Sequence, residues 1–361
     1  MQSVVRSLAL STLLAAATCG AIAQTNDAQP ASSAVSAAAT DPDTFFKGRM
    51  GGTFGKNIIE VMPAGKRIAV AAFRVAFITD NSVTAQVRGA YLPGGIDMSG
   101  ARSSLFVALK GVDPKTMQAL TDKAYEDLLA QLAASGREVV PLDPLKDMIG
   151  ELKASKPGYT KEQNGQTAAF FSPTGLPLVF THFEGAWGDG GMLDLHNYRK
   201  LQEISGKHNT VVIAPMLFVN FAKMRSSGNQ SGLVARAAET GAELGMSVAA
   251  LNSYYVRTTE FRNGMHMQGD EGNFSLAQAV TSAMQFGTLK ETASEDNTAV
   301  KTAFDVLGKL AGMQNAGGAS RSSKKAVAES TDEAYAAAAR DVLQRTNGLL
   351  AQWFRKYPPA N

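Results

Sequence analysis

The stretch KRIAVAAFRVAFIT, Lys66 to Thr79, decides the fold. Its apolar and β-branched residues run on without the polar alternation of a half-exposed strand, so it reads as a strand buried on both faces. Such a strand needs covering layers, and the following sequence supplies them. Asp113-Pro114 opens a helix through TMQALTDKAYEDLLAQLAAS, in which Met117, Leu120, Ala124, Leu128 and Leu132 recur at spacings of three and four. Gly136 ends it, REVVPL is a short strand, and DPLKDMIGELKAS is a second helix with Asp143 at its cap and Pro144 next.

Further on, LPLVFTHFEGAW reads as a strand and DLHNYRKLQEIS as a helix capped by Asp194, with Leu195, Tyr198, Leu201 and Ile204 facing inward. TVVIAPMLFVNFAKM is strand-like, and Pro215 within it implies an edge or a bulge. The loop RSSGNQSG and a helix from Gly232 to Gly245 follow. GMSVAALNSYYVRTTEF is then a long strand turning at Arg262-Asn263-Gly264, where Asn-Gly suits a tight hairpin. FSLAQAVTSAMQFGTLK fits both periods and is read as strand. NTAVKTAFDVLGKLAGM and STDEAYAAAARDVLQRTNGLLAQWFRKYP close the chain as helices. The second is capped by Ser330 or Thr331 and points Tyr335, Ala339, Val342, Leu349 and Trp353 at a core. This order predicts an α/β fold, with α+β as the alternative: a layered mixed sheet with flanking helices and a long carboxy-terminal helix.

The flanks divide the chain. Arg6, the apolar run Leu8 to Thr18 and the small residues Ala21-Ile22-Ala23 read as a secretory signal peptide over 1–23. Cys19 offers a second reading, a lipidated mature terminus. If Cys19 leaves with the signal, the mature chain has no cysteine, which excludes disulfides, thiol catalysis and cysteine metal sites. Residues 24–43 are small, polar and proline-punctuated, a flexible tether. The mixed α/β domain spans 44–312, residues 313–330 form a flexible loop, and 331–361 the closing helix. Within the domain, SVTAQVRGAY and SSLFVALKG alternate around a turn-rich link and make a hairpin-like excursion near 81–111. Its strands approach the length that crosses a membrane in a β-barrel, but Gln86 and Arg88 stand opposite a thin apolar face, which favours a soluble or oligomer-packing hairpin.

Export is therefore expected, to the periplasm, the outer envelope or the exterior. A net charge of +3 with no basic stripe argues against a nucleic-acid partner. The densest chemistry lies in THFEGAWGDGGMLDLH, Thr181 to His196. His182 and Glu184 share a strand face, and with His196 they form the candidate metal set, zinc being the cofactor they would take and His208 or His266 more distant ligands. The competing reading is structural: the glycines make a strand-to-helix loop and Asp194 caps a helix. GRMGGTFGKN, Gly48 to Asn57, has the wrong spacing for a phosphate loop, and GNQSG places its serine one position late for a nucleophile elbow. Glu60, Glu184 and Asp270 are read as solvated acids, and no catalytic set assembles.

The run KRIAVAAFRV, the helix–strand–helix AYEDLLAQLAASGREVVPLDPLKDMIGELK, the strands VVIAPMLFVNFAKM and MSVAALNSYYVRTTEF, and the terminal DEAYAAAARDVLQRTNGLLAQWF together resemble the curli secretion channel family and related TolB-type amino-terminal domains. That resemblance implies a non-enzymatic envelope protein that associates with itself or with protein partners and assists secretion or surface assembly. A lipidated Cys19 or hairpins supplied by an oligomer would bring it to a membrane. The alternative is an exported metal-assisted hydrolase built on His182, Glu184 and His196.

Overall fold

A computed structural model of the protein describes residues 41–360 except 51–55, 88–89, 93–95, 99–100, 157, 182–186, 188–194, 232–234, 264 and 297–320. The elements are, in order, β1 (Phe46–Met50), α1 (Ile58–Val61), β2 (Arg67–Val70), β3 (Arg74–Val87), β4 (Ala90–Leu92), β5 (Ile96–Met98) and β6 (Ala101–Lys110). Next come α2 (Pro114–Ala134), β7 (Glu138–Val139), α3 (Lys146–Gly150), β8 (Ala154–Ser155), β9 (Thr160–Gln163), β10 (Gln166–Phe171), β11 (Leu178–Val179) and α4 (Leu195–His208). The last are β12 (Val211–Ser231), β13 (Ala235–Arg262), β14 (Met265–Leu276), β15 (Val280–Thr281), β16 (Gly287–Asp296), β17 (Arg321–Ser330) and a closing helix, α5 (Asp332–Lys356). The fold is α/β: one large mixed sheet in the order β1-β14-β13-β12-β3-β6-β17-β16, flanked by helices.

The opening stretch proves to be two strands. β2 and β3 are separated by residues 71–73, and both run parallel to β12, over Val211–Ile213 and Met216–Val219. Arg74, at the restart, is wholly buried and donates from Nη1 to the Val179 carbonyl (2.9 Å) and from Nη2 to the Ala214 carbonyl (2.6 Å). Pro215 accordingly sits in an interior strand, not at an edge. It falls between the segments of β12 that pair with β2 and with β3, so that side of the ladder is already interrupted where its N–H is missing.

Alternation across the central strands sorts the layers. Tyr254 of β13 packs at 5.5 Å, rings tilted, on Tyr198 of α4, whereas its neighbour Tyr255 points the other way, to the Lys56 carbonyl. On that opposite face Phe274 of β14 meets Trp353 and Phe354 of α5 at 5.7 and 5.9 Å. α2 pairs with α5 and buries all five residues of its apolar stripe. Asn347 ties the pair by donating to the Ala124 carbonyl (2.8 Å) and to Asp127 (2.9 Å). Thr331 caps α5 through Oγ1, and Arg137, 3 % exposed, donates to the carbonyls of Phe354 (3.3 Å) and Tyr357 (2.5 Å) at its other end. Burial lowers the Arg137 guanidinium to about 10.

Several expectations are corrected. The helix expected from Gly232 to Gly245 is strand where described, the start of β13, and RSSGNQSG continues β12 to Ser231 rather than forming a loop. Alanine and glutamate favour helix locally, but Ala238 to Leu244 face β12 residue for residue, and the ladder overrides that preference. The flexible loop expected over 313–330 is strand β17 from Arg321, held between β6 in parallel and β16 in antiparallel register. Asp143 does not cap a long helix; it begins a 3-10 turn, and α3 spans only five residues. β11 is two residues long, much shorter than the strand expected there. Leu195 is 43 % exposed, leaving Tyr198, Leu201 and Ile204 as the inward face of α4. The end of the expected tether is docked, Asp41 and Asp43 both taking the Lys356 ammonium and Asp43 the Trp353 indole N–H (2.9 Å). Residues 1–40, the Asp194 cap and the helix expected over 297–313 lie outside the described residues.

Candidate functional site

The hairpin expected near 81–111 is present: β3 and β6 pair antiparallel from Asp80↔Ala108 to Val87↔Ala101. It has two unequal faces. Ala85, Val87, Ala101, Ser103, Leu105 and Val107 are buried, while Ser82, Thr84, Gln86, Arg102 and Phe106 are exposed. What covers the buried face is a second ribbon that the sequence reading missed. β12 and β13, of 21 and 28 residues, remain paired out to Ser231↔Ala235, a ribbon about 70 Å long at roughly 3.3 Å per residue.

The distal ribbon also has two faces. Lys223, Arg225, Ser227, Glu239 and Glu243 are exposed, with Arg225 paired to Glu243. The other face offers Met224, Ala238, Thr240 and Ala242, each only half buried. It lies against the β3–β6 hairpin: the hydroxyls of Ser103 and Thr240 are 2.9 Å apart, and Asn81 donates to Asn220 (2.8 Å) where the ribbons leave the core. β17 joins the same arrangement, Ser322 donating to the Ser103 hydroxyl (2.9 Å). The layer between the ribbons is aliphatic and polar, with alanine, serine and threonine beside Val87, Leu105 and Met224, unlike the aromatic core beneath the helices. A period-two reading of Glu239, Gly241 and Glu243 as one strand face was the signal available in sequence for this second ribbon.

Between α4 and the sheet lies a polar cluster. Glu271 accepts from Tyr198 (2.5 Å), Gln202 (2.9 Å) and Tyr254 (3.2 Å). Burial, then the Glu271 carboxylate, push the Tyr198 phenol upward. Three donors on one carboxylate make this an anchor for α4. Asp270, expected to be solvated, is 8 % exposed, with Arg257 at 3.9 Å.

Of the metal set, the structure places only His196. Its Nε2 lies 2.9 Å from the Glu151 carbonyl oxygen, while His182 and Glu184 fall outside the described residues. His208 ends α4 and His266 lies in β14. Among the described residues, no three His, Cys, Asp or Glu side chains gather as metal ligands, and no helix is long and apolar enough to cross a membrane.

The chain matches no protein-family model, no curated protein and no solved structure. The geometry of the ribbons is therefore the main guide to function.

Proposed function

We propose that this chain is an exported, non-enzymatic envelope protein that acts as a self-associating assembly module in secretion or surface-structure biogenesis. One observation carries the reading: two ribbons, β3–β6 and distal β12–β13, extend past the helix-covered core, and the distal ribbon meets the hairpin through side chains that stay half-buried, Met224, Ala238, Thr240 and Ala242. Each buried methylene contributes about 0.8 kcal/mol, so the small side chains Ala238, Thr240 and Ala242 add little to the hold of the distal ribbon on the hairpin. A neighbouring copy can replace that contact at low cost. β16 and β1 end the sheet with one paired side each among the described residues, and open strand edges are templates for another chain. The resemblance to the curli secretion channel family points the same way.

The test is the mass of the purified mature protein by light scattering, in buffer and in detergent, beside a Ser103→Cys/Thr240→Cys variant. Multimers are expected for the parent and the reduced variant. The oxidised variant, with its ribbons clamped, should remain a single protomer. A single-protomer mass for the parent in both media overturns self-association. Stoichiometric zinc that disappears with His182→Ala would favour the metal-assisted hydrolase instead.

A further inference from the structure

We infer that the cleft where β2, β7 and β12 begin is a binding site for a phosphate-type oxyanion. The cleft has a volume of about 320 Å³ and is lined by Lys66, Arg67, Glu138, Asn209, Thr210 and Arg257 among others. That is room for a phosphoryl group carrying a small organic substituent, at the lower end of ordinary ligand pockets.

Charge in the cleft is uneven. Arg67 and Glu138 neutralise one another, Arg67 Nε donating to the carboxylate at 3.0 Å and Nη1 to the His208 carbonyl at 2.5 Å, so this pair forms a committed wall. Lys66 and Arg257 are different. Lys66 is exposed and makes no ion pair among the described residues. Arg257 is 3.9 Å from the nearest carboxylate, Asp270, beyond hydrogen-bonding distance. The cleft's lining thus holds three cations and one carboxylate, with Asp270 at ion-pair distance from Arg257, and this net positive concave surface concentrates an anion.

The placement of the two cations selects the anion's shape. Lys66 immediately precedes β2, whereas Arg257 projects from β13, on the far side of β12 in the sheet. A planar carboxylate has only two oxygens, and one bidentate guanidinium engages both. A tetrahedral oxyanion has further oxygens for an ammonium arriving from another strand. The Thr210 hydroxyl, whose contact to the Val211 carbonyl is a long 3.4 Å, adds a neutral donor at the base. The site lies at the start of β12, the opposite end from the distal ribbon, so it is independent of the self-association surface.

Thermal-shift and calorimetric titrations of the mature protein with inorganic phosphate and pyrophosphate, at fixed ionic strength, test this. Succinate and chloride serve as the comparison anions. Saturable stabilisation by the phosphates is expected, weakened about tenfold or more by Lys66→Gln/Arg257→Gln, since each change removes a charge-assisted contact. Arg340→Gln, which matches the charge change of Lys66→Gln alone but lies in a different cleft, should leave it intact. If the double variant does not fold, Lys66→Gln alone, at an exposed side chain, should still weaken binding. No saturable shift, an equal shift with chloride, or affinity unchanged by Lys66→Gln overturns the site, and equal binding of succinate overturns the phosphate assignment.

Discussion

The Nη2 of Arg74 lies 2.6 Å from the carbonyl oxygen of Ala214, inside the sheet and with no exposure to solvent. This bond and its companion to Val179 tie the start of β3 to β12 and β11 and so bridge them, next to Pro215. Hydrogen bonds from a charged donor contribute roughly 1.5–3 kcal/mol each, and truncation also leaves a cavity. Arg74→Ala should therefore lower the unfolding free energy by about 3–5 kcal/mol in urea melts. Arg74→Lys, lacking the forked geometry, should recover only part. A loss below about 1 kcal/mol for Arg74→Ala would rule out the bridge as a structural element.

Tyr335 makes the opposite case. Its ring packs at 6.4 Å on Phe77 and 6.0 Å on Phe286, but its hydroxyl is buried with no hydrogen-bond partner among the described residues. An unmade buried hydrogen bond costs about 1–3 kcal/mol. Tyr335→Phe should leave stability unchanged or raise it by about 1 kcal/mol, a rise in Tm readable by calorimetry. Clear destabilisation would mean the hydroxyl has a partner.

Gly111, at the end of β6, has φ +84°, and a β-carbon there would stand 2.1 Å from the Ser330 carbonyl oxygen at the end of β17. Both the left-handed backbone and the close approach exclude a side chain. Gly111→Ala should cost about 2 kcal/mol or more and loosen the parallel β6–β17 pairing, seen as faster amide exchange over Ala326 to Glu329. Exchange there at the parent rate would contradict the contact.

The strap formed by Asp41 and Asp43 on Lys356 should be sensitive to acid. The hydrogen bond from Lys356 holds the Asp41 carboxyl below its ordinary value of 3.8. A depressed acid contributes its stabilisation above the unfolded value and loses it as pH falls through the folded one. Lys356, raised by the same two carboxylates, keeps its contribution at every pH below its ordinary 10.5. The strap should thus open only below about pH 4, exposing Trp353, whose fluorescence in a Trp187→Phe background should shift to the red. Lys356→Gln should move that transition to higher pH, and an unmoved transition would sever the link.

Much of this architecture was legible in the sequence, for reasons that differ by element. α2 and α5 carry a cap, an acidic or proline first turn and a sustained apolar period, all local properties. The β3–β6 hairpin was readable from its alternation. The distal β12–β13 ribbon and β17 were not, because RSSGNQSG and SRSSKKAVAES have loop-like compositions and become strands only through partners far away in the chain. The oxyanion cleft was equally hidden: Lys66, Thr210 and Arg257 come from three separated segments that only the sheet brings together. The aspartates of the strap looked like linker residues because their partner is at the other end of the chain.

The bulges in β12, between Phe218 and Val219 and again between Asn220 and Ala222, fall where the long ribbon parts from the core. Below them the strand is locked in place, since a slip of one residue would turn every buried side chain outward. Beyond them the same rule holds more loosely, through the half-buried face that lies on the β3–β6 hairpin. The ribbon is joined to the body as an oar is to its rowlock, its angle set at the bulges and its length unable to slide through them.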